Sequence, residues 1–385
     1  MSDAIALYIH FPFCLRKCNY CSFVSYQDKE DDISTYLQAM NREVELRTNG
    51  EQVRSIYLGG GTPSLLSPWQ IYDVLDIIQS SFLVIHGAEV TLEANPGTID
   101  RHYLEEIRKL GINRLSLGVQ SLDDDTLSIL GRIHTVVEAR DAIEFARDVG
   151  FTNVNVDLIY GVPGQSLDNW NWVIEDTIAL EPDHISLYPL TLEDGLPLTL
   201  AIENEQVPPL DSDIAADQYE LAEDCLESSG YIHYEISNWA RSGKECSHNM
   251  VYWCGGAYIG IGVAAHSYMH GRRCANTSDL DLYLESFYKN RLPIFDLDEY
   301  IGRELQVSET IILGLRLSDG IDLHHASDRF GIDLIKRYNR QICELTSLGL
   351  LECRGERVAL TRRGRLLGNQ VFWRFLPDGE LGTNE

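Results

Sequence analysis

The chain has 385 residues, enough for one large domain and a smaller one. Its 44% hydrophobic content supports a sizeable core, while a formal net charge of −28 opposes the basic footprint of general nucleic-acid binding. The start has no basic segment with a signal-type apolar stretch, and no run reaches the ~18 apolar residues of a membrane span, so a cytoplasmic, reducing location is expected.

In chain order, short β-type runs alternate with helical patterns, as in βα units. Strands are predicted over 4–10, 55–60, 89–95, 114–120, 153–161 and 184–190. Between them, helices over 101–110 and 136–149 stop at Gly111 and Gly150, since glycine takes the left-handed conformation cheaply. In the second of these, Ala139, Ala142, Ile143, Ala146 and Val149 share one face and are read as core. Six such units predict an α/β fold built on a partial parallel (β/α)6 barrel over residues 1–200, with its chemistry at the C-terminal strand ends. Those ends are polar or glycine-rich: Tyr8 and His10, Gly59-Gly60-Gly61-Thr62-Pro63, Glu93, Gln120, Asp157 and Tyr188.

After residue 200 the texture changes. An acidic, proline-bearing connection (204–213) leads to a helix over about 214–229, then to the aromatic and His-rich stretch "HNMVYWCGGAYIGIGVAAHSY" (248–268). Residues 201–299 are expected to extend the barrel, and 300–375 to form a smaller α+β winged-helix-like module, with 376–385 a loose tail. A basic wing could suggest nucleic acid, but the overall charge favours a packing role and no nucleic-acid partner.

The nine cysteines are mostly scattered, but "CLRKCNYC" (14–21) sets three at gaps of three and two residues. In a reducing compartment such clusters indicate metal or redox chemistry more often than disulfides. A structural zinc site needs four ligands and would have to recruit a distant fourth. An iron–sulfur cubane held at three corners instead leaves one iron free for an exchangeable ligand.

The spacing resembles the radical S-adenosylmethionine (radical SAM) superfamily, in which SAM chelates that iron and an electron from the cluster cleaves its sulfonium to a 5′-deoxyadenosyl radical. Further motifs, "YIHFPFCLRKCNYC", "LGGGTPSLL", "LEANPGT", "SLGVQS", "LGRIH" and "VDLIYGVPGQ", resemble the branch containing oxygen-independent coproporphyrinogen dehydrogenase (HemN) and the HemW heme chaperones. The resemblance implies a [4Fe-4S] cluster on Cys14, Cys18 and Cys21, with SAM contacts from Tyr8, Phe23, Gly60, Gly61, Thr62, Glu93, Gln120, Arg132 and Asp157. Bottom-up, the glycines would let backbone approach a ligand, Glu93 and Asp157 would accept from ribose hydroxyls, and Gln120 and Arg132 would donate to a carboxylate. Phe13, Tyr20 and Phe23 would shield the cluster from water.

Phe23 stands where the dehydrogenase carries a fourth cysteine, and "HNMVYW" matches the H-N-x-x-Y-W motif of the chaperones. His248 is the expected axial ligand for heme, Tyr252 and Trp253 offer flat apolar faces, and His266 would face the same cavity. Cys246 and Cys254 are read as small buried thiols. The expected function is a heme carrier that delivers to acceptor proteins such as respiratory enzymes, which is compatible with peripheral membrane contact. An electron donor of the flavodoxin or ferredoxin kind and a homodimer also fit this reading. The rivals are decarboxylation of coproporphyrinogen III and radical chemistry on RNA; the charge argues against the last.

Overall fold

Six parallel strands carry the N-terminal part of the computed structural model, which describes residues 4–377: β1 (Ile5–Phe11), β2 (Gln52–Gly60), β3 (Leu83–Ala94), β4 (Arg114–Gln120), β5 (Val154–Tyr160) and β6 (His184–Pro189). Between and after them run α1 (Ile33–Arg47), α2 (Pro68–Ser81), α3 (Arg101–Lys109), α4 (Asp124–Leu130), α5 (Val136–Asp148) and α6 (Leu167–Ala179). The helix ends follow local chemistry. Ser67 with Gln70, and Thr135 with Glu138, form capping boxes at the starts of α2 and α5.

Alternation within each strand sorts side chains between two surroundings. Leu7, Ile9 and Phe11 of β1, Leu115 and Leu117 of β4, and Val154 and Val156 of β5 join the apolar layer beneath the helices. The intervening positions, Tyr8 and His10, Arg114 and Ser116, Asn155 and Asp157, are polar and lie on the opposite face. A barrel of this kind is ordinarily filled by branched apolar side chains; the polar filling marks this one as a site.

Beyond β6 come α7 (Pro197–Glu203), α8 (Ser212–Ser228), β7 (Ile232–Glu235), β8 (Asn238–Ala240) and α9 (Ser247–Trp253). They are followed by β9 (Tyr258–Ile261), β10 (His266–Met269), β11 (Arg272–Asn276), α10 (Leu280–Tyr288) and β12 (Phe295–Tyr300). These strands extend the barrel sheet at both edges, in the order β12-β11-β10-β9-β1-β2-β3-β4-β5-β6-β8-β7. β9 runs parallel to β1, and β8 antiparallel to β6.

The C-terminal module holds α11 (Arg303–Arg316), β13 (Ile321–Asp322), α12 (Leu323–Phe330), α13 (Leu334–Ser347), β14 (Leu351–Arg354) and β15 (Arg357–Leu360). It has its own buried cluster, including Val307, Ile311, Phe330, Leu334 and Phe375. Its wing arginines bond within the module: Arg354 donates to Ser318 O and Arg357 to Asp319 O and Gly320 O. Arg316 bridges to the buried Glu235 at 3.2 Å and lies over the Trp253 ring. Of the tail expected at 376–385, residues from 378 onward lie outside the described part. Among the described residues, no helix is long and apolar enough to cross a membrane.

Candidate functional site

The cysteine loop leaves β1 and is tied down at both flanks. Cys14 N–H donates to Tyr26 O (2.9 Å), and Asn19 donates to Leu130 O and Ile129 O, both at 3.0 Å. Asn19 thus satisfies carbonyls at the C-terminus of α4. Gly131, at φ 71°, caps that helix, and a Cβ there would lie 2.6–2.8 Å from the Asn19 side chain. The next residue, Arg132, donates through Nη1 to Cys18 Sγ (3.2 Å) and through Nη2 to Gly118 O (2.7 Å). Thr62 Oγ1 donates to Cys14 Sγ (3.4 Å). Burial pushes the Cys14 and Cys21 thiols up, a cost that ligation by a cation offsets.

All three cysteines are free and line one cavity. Among the described residues, the one trio of His, Cys, Asp or Glu ligand atoms within 4.8 Å of one another is Glu223, Glu227 and His233. The loop sulfurs are therefore not gathered around one zinc ion, whose ligand sulfurs would stand about 3.8 Å apart. A polynuclear cluster fits their wider spread and all-thiol character.

The cavity, about 370 Å³, opens at the C-terminal strand ends and is large enough for a small-molecule ligand. Glu93 accepts from Tyr57 OH (2.8 Å) and Gly60 N–H (3.0 Å). Asp157 accepts from Ser116 Oγ (3.1 Å) and Asn155 Nδ2 (2.8 Å). Each of these donors is neutral. Burial, and then the nearby Asp157, raise Glu93 to about 7, and burial raises Asp157 as well. Two carboxylates facing one cavity without a cation in contact are suited to a positively charged, hydroxyl-bearing ligand. Gln120 lines the same cavity from a left-handed backbone (φ 68°), a strained state that favours a functional role.

Of the residues expected here, Cys14, Cys18, Cys21, Phe23, Gly60, Gly61, Thr62, Glu93, Gln120, Arg132 and Asp157 line the cavity. Tyr8 does not: its hydroxyl donates to His10 Nδ1 (3.0 Å), and His10 is fixed through Nε2 to Val24 O. The glycines differ from expectation in cause. A Cβ on Gly60 would strike the His10 ring at 2.6 Å, and one on Gly61 would meet Phe13 O and Phe11 O at 2.7 and 2.9 Å. They let β2 exit against the root of the cysteine loop before any ligand is considered. Phe13 is buried against Phe11 and Tyr36, away from the cavity, whereas Phe23 is 67% exposed at its mouth. Asn95 and Ser116 also line the cavity; the period-2 pattern Ser116-Gly118-Gln120 was the signal for Ser116.

The "HNMVYW" segment is α9, and it closes the opposite, N-terminal end of the barrel. Glu89 of β3 accepts from Ser247 N–H and His248 N–H, both at 3.0 Å, at the helix start. His248 is 1% exposed; its Nδ1 pairs with Ser55 Oγ (3.0 Å) and its Nε2 with Tyr252 OH (2.7 Å). Both ring nitrogens are thus engaged in this conformation, and the ring lies 5.0 Å from that of Tyr57. Burial lowers its pKa to about 3. From Tyr252 an aromatic line continues through Tyr258 to Tyr268 on β10, the strand that carries the exposed His266. Trp253 instead packs under Arg316. None of the four residues expected around heme lines the cavity beside the cysteine loop. Cys246 is buried, but Cys254 is exposed, contrary to its expected burial.

Residues 8–176 match the Radical SAM superfamily, and residues 303–367 match the HemN C-terminal domain. The chain is 34% identical to the heme chaperone HemW of Bacillus subtilis, over 97% of this chain and 99% of that protein. It is 39% identical to HemW of Escherichia coli over 68% of this chain and 69% of that protein. Among solved structures, coproporphyrinogen III oxidase (HemN) of Escherichia coli superposes with a TM-score of 0.85, covering 97% of this chain and 90% of that one. At 22% identity, that likeness shows the fold alone.

Proposed function

Because the chain belongs to the HemW heme chaperone family of the radical SAM superfamily, we propose that it binds heme and passes it to acceptor proteins. The observation that carries this is the 34% identity running through both barrel and C-terminal module. In this reading Cys14, Cys18 and Cys21 hold a [4Fe-4S] cluster, and the adjoining cavity takes S-adenosylmethionine. Together these groups supply one-electron chemistry when bound.

The chain's own residues prepare that site. Thr62 and Arg132 donate to the Cys14 and Cys18 sulfurs. Glu93 and Asp157 accept from ligand hydroxyls and balance positive charge. Gln120 and Arg132 donate to a carboxylate, and Phe23 lies over the mouth. For heme, we place the macrocycle against the line of Tyr252, Tyr258 and Tyr268. His248 gives iron a nitrogen only after releasing Ser55 or Tyr252, so heme uptake involves movement of α9. Reduction of the cluster would call for a flavodoxin- or ferredoxin-like donor, and heme-acceptor proteins would receive the cargo.

Decarboxylation of coproporphyrinogen is the second reading, favoured by the match of residues 303–367 to the HemN C-terminal domain. Phe23 at the fourth-cysteine position stands against it. Parallel anaerobic assays of cluster-loaded protein separate the two: a heme titration followed by its Soret band, and turnover with coproporphyrinogen III and SAM. The chaperone reading expects stoichiometric heme binding and no protoporphyrinogen; product without heme binding would reverse the ranking.

A further inference from the structure

Arg114 lies on the inner face of β4, below Ser116, and is 1% exposed. A buried guanidinium is costly unless paired, yet its Nε has no hydrogen-bond partner among the described residues. Its register partner on β3 is Thr91, whose hydroxyl is likewise buried without a partner. Two orphaned polar groups side by side mark a place for ordered water. Next along β3 is Glu93, and across β4 Ser116 bonds Asp157, so this cation stands one layer beneath both cavity carboxylates.

The remaining interior groups leave Arg114 as the cation beneath the pair. Glu89 is occupied by the start of α9. Burial keeps Tyr8, Tyr57, Tyr188 and Tyr234 protonated, and Cys246 is pushed up to about 12. His184 and His248 are pushed down by burial and then by Arg114, and remain neutral near pH 7. Arg132 lies above, beside the cysteine loop, where it donates to Cys18 and Gly118.

We propose that Arg114 is a positioning residue for the cavity: from below, its charge favours the carboxylate forms of Glu93 and Asp157 that hold a cationic ligand. The inference rests on the reading of the cavity as a site for S-adenosylmethionine, whose sulfonium and ammonium groups are the cations concerned. Its separation from the carboxylates is part of the design. In contact, Arg114 would neutralise them and remove the attraction for ligand; one layer away, it lowers the cost of ionisation and leaves them free.

The test is the pH profile of SAM affinity, measured by calorimetry on anaerobically cluster-loaded protein. In R114M the acid limb should move up by about one pH unit. SAM binding then weakens about fivefold at pH 7 and recovers to within about twofold of wild type near pH 9. R114K, which keeps the charge, should follow the wild-type profile. R114Q carries the same prediction as R114M if the latter does not fold. A variant profile superimposed on wild type, or an equal loss at every pH, would overturn the proposal. So would failure of both neutral variants to fold while R114K folds. If wild type itself binds no SAM at any pH, the underlying reading of the cavity fails instead.

Discussion

Glu93 illustrates how burial sets a residue's chemistry. Its pKa is raised from 4.5 to about 7 by desolvation and by Asp157, so the folded apo protein retains a proton that the unfolded chain releases. The stability tied to that proton is fully present below about 4.5 and is lost as pH rises through about 7. E93Q cannot lose it. The difference in Tm between E93Q and wild type, measured without ligand, should therefore grow in favour of E93Q between pH 5 and pH 8 (roughly the span of the raised carboxyl). A constant difference would contradict the burial argument. Ligand binding has the opposite dependence, because a cationic ligand needs the ionised form, so SAM affinity should rise through neutrality. A second residue-scale expectation concerns Cys18, proposed above as one of three cluster ligands. C18A should lose the brown colour and most SAM binding; an unchanged visible spectrum would exclude ligation by this residue. Cysteine spacing and polar strand ends were legible in the sequence because each is local. The cause of the Gly60 and Gly61 requirement was not: the obstructing atoms belong to His10, Phe11 and Phe13, about 50 residues earlier in the chain. The place of Tyr8 beside His10, outside the cavity lining, was not legible for the same kind of reason.

At the level of elements, the six parallel strands and helices α3 and α5 lie where their patterns predict, because alternation and glycine stops act within each segment. The edge strands β7 to β12 were not legible. They are short, from three to six residues, and pair antiparallel apart from β9, so their place depends on the sheet they join. Helix α9 matters most for function. It has seven residues, no side-chain cap from its own N-cap Cys246, and takes its first-turn acceptor from Glu89 of another strand. Replacing Glu89 by Ala should cost about 1–2 kcal/mol, the range of a lost helix cap, measured as a shift in urea midpoint. It should also loosen α9, seen as faster amide exchange at His248 and Met250. If exchange there is unchanged, the helix is held by its packing and not by this carboxylate.

Across the whole molecule, polar groups run from the cavity to α9 in continuous contact. Asp157 bonds Asn155, which bonds His184 (2.6 Å), which bonds Tyr234 (2.8 Å), whose hydroxyl accepts from Cys246 N–H (3.3 Å). The C-terminal module is fastened to the same region through Arg316, which touches both Glu235 and Trp253. A family of heme carriers and a fold shared with a porphyrinogen oxidase thus meet in one chain, and what separates them is the fate of the tetrapyrrole. The most direct measurement is heme handover: cluster-loaded protein charged with one equivalent of heme is mixed with an apo heme protein under anaerobic conditions, and the Soret band is followed. The chaperone account predicts that the donor's band gives way to that of the reconstituted acceptor, faster than for free heme at the same concentration. Heme that never binds, or that reaches the acceptor no faster than heme from solution, would contradict it.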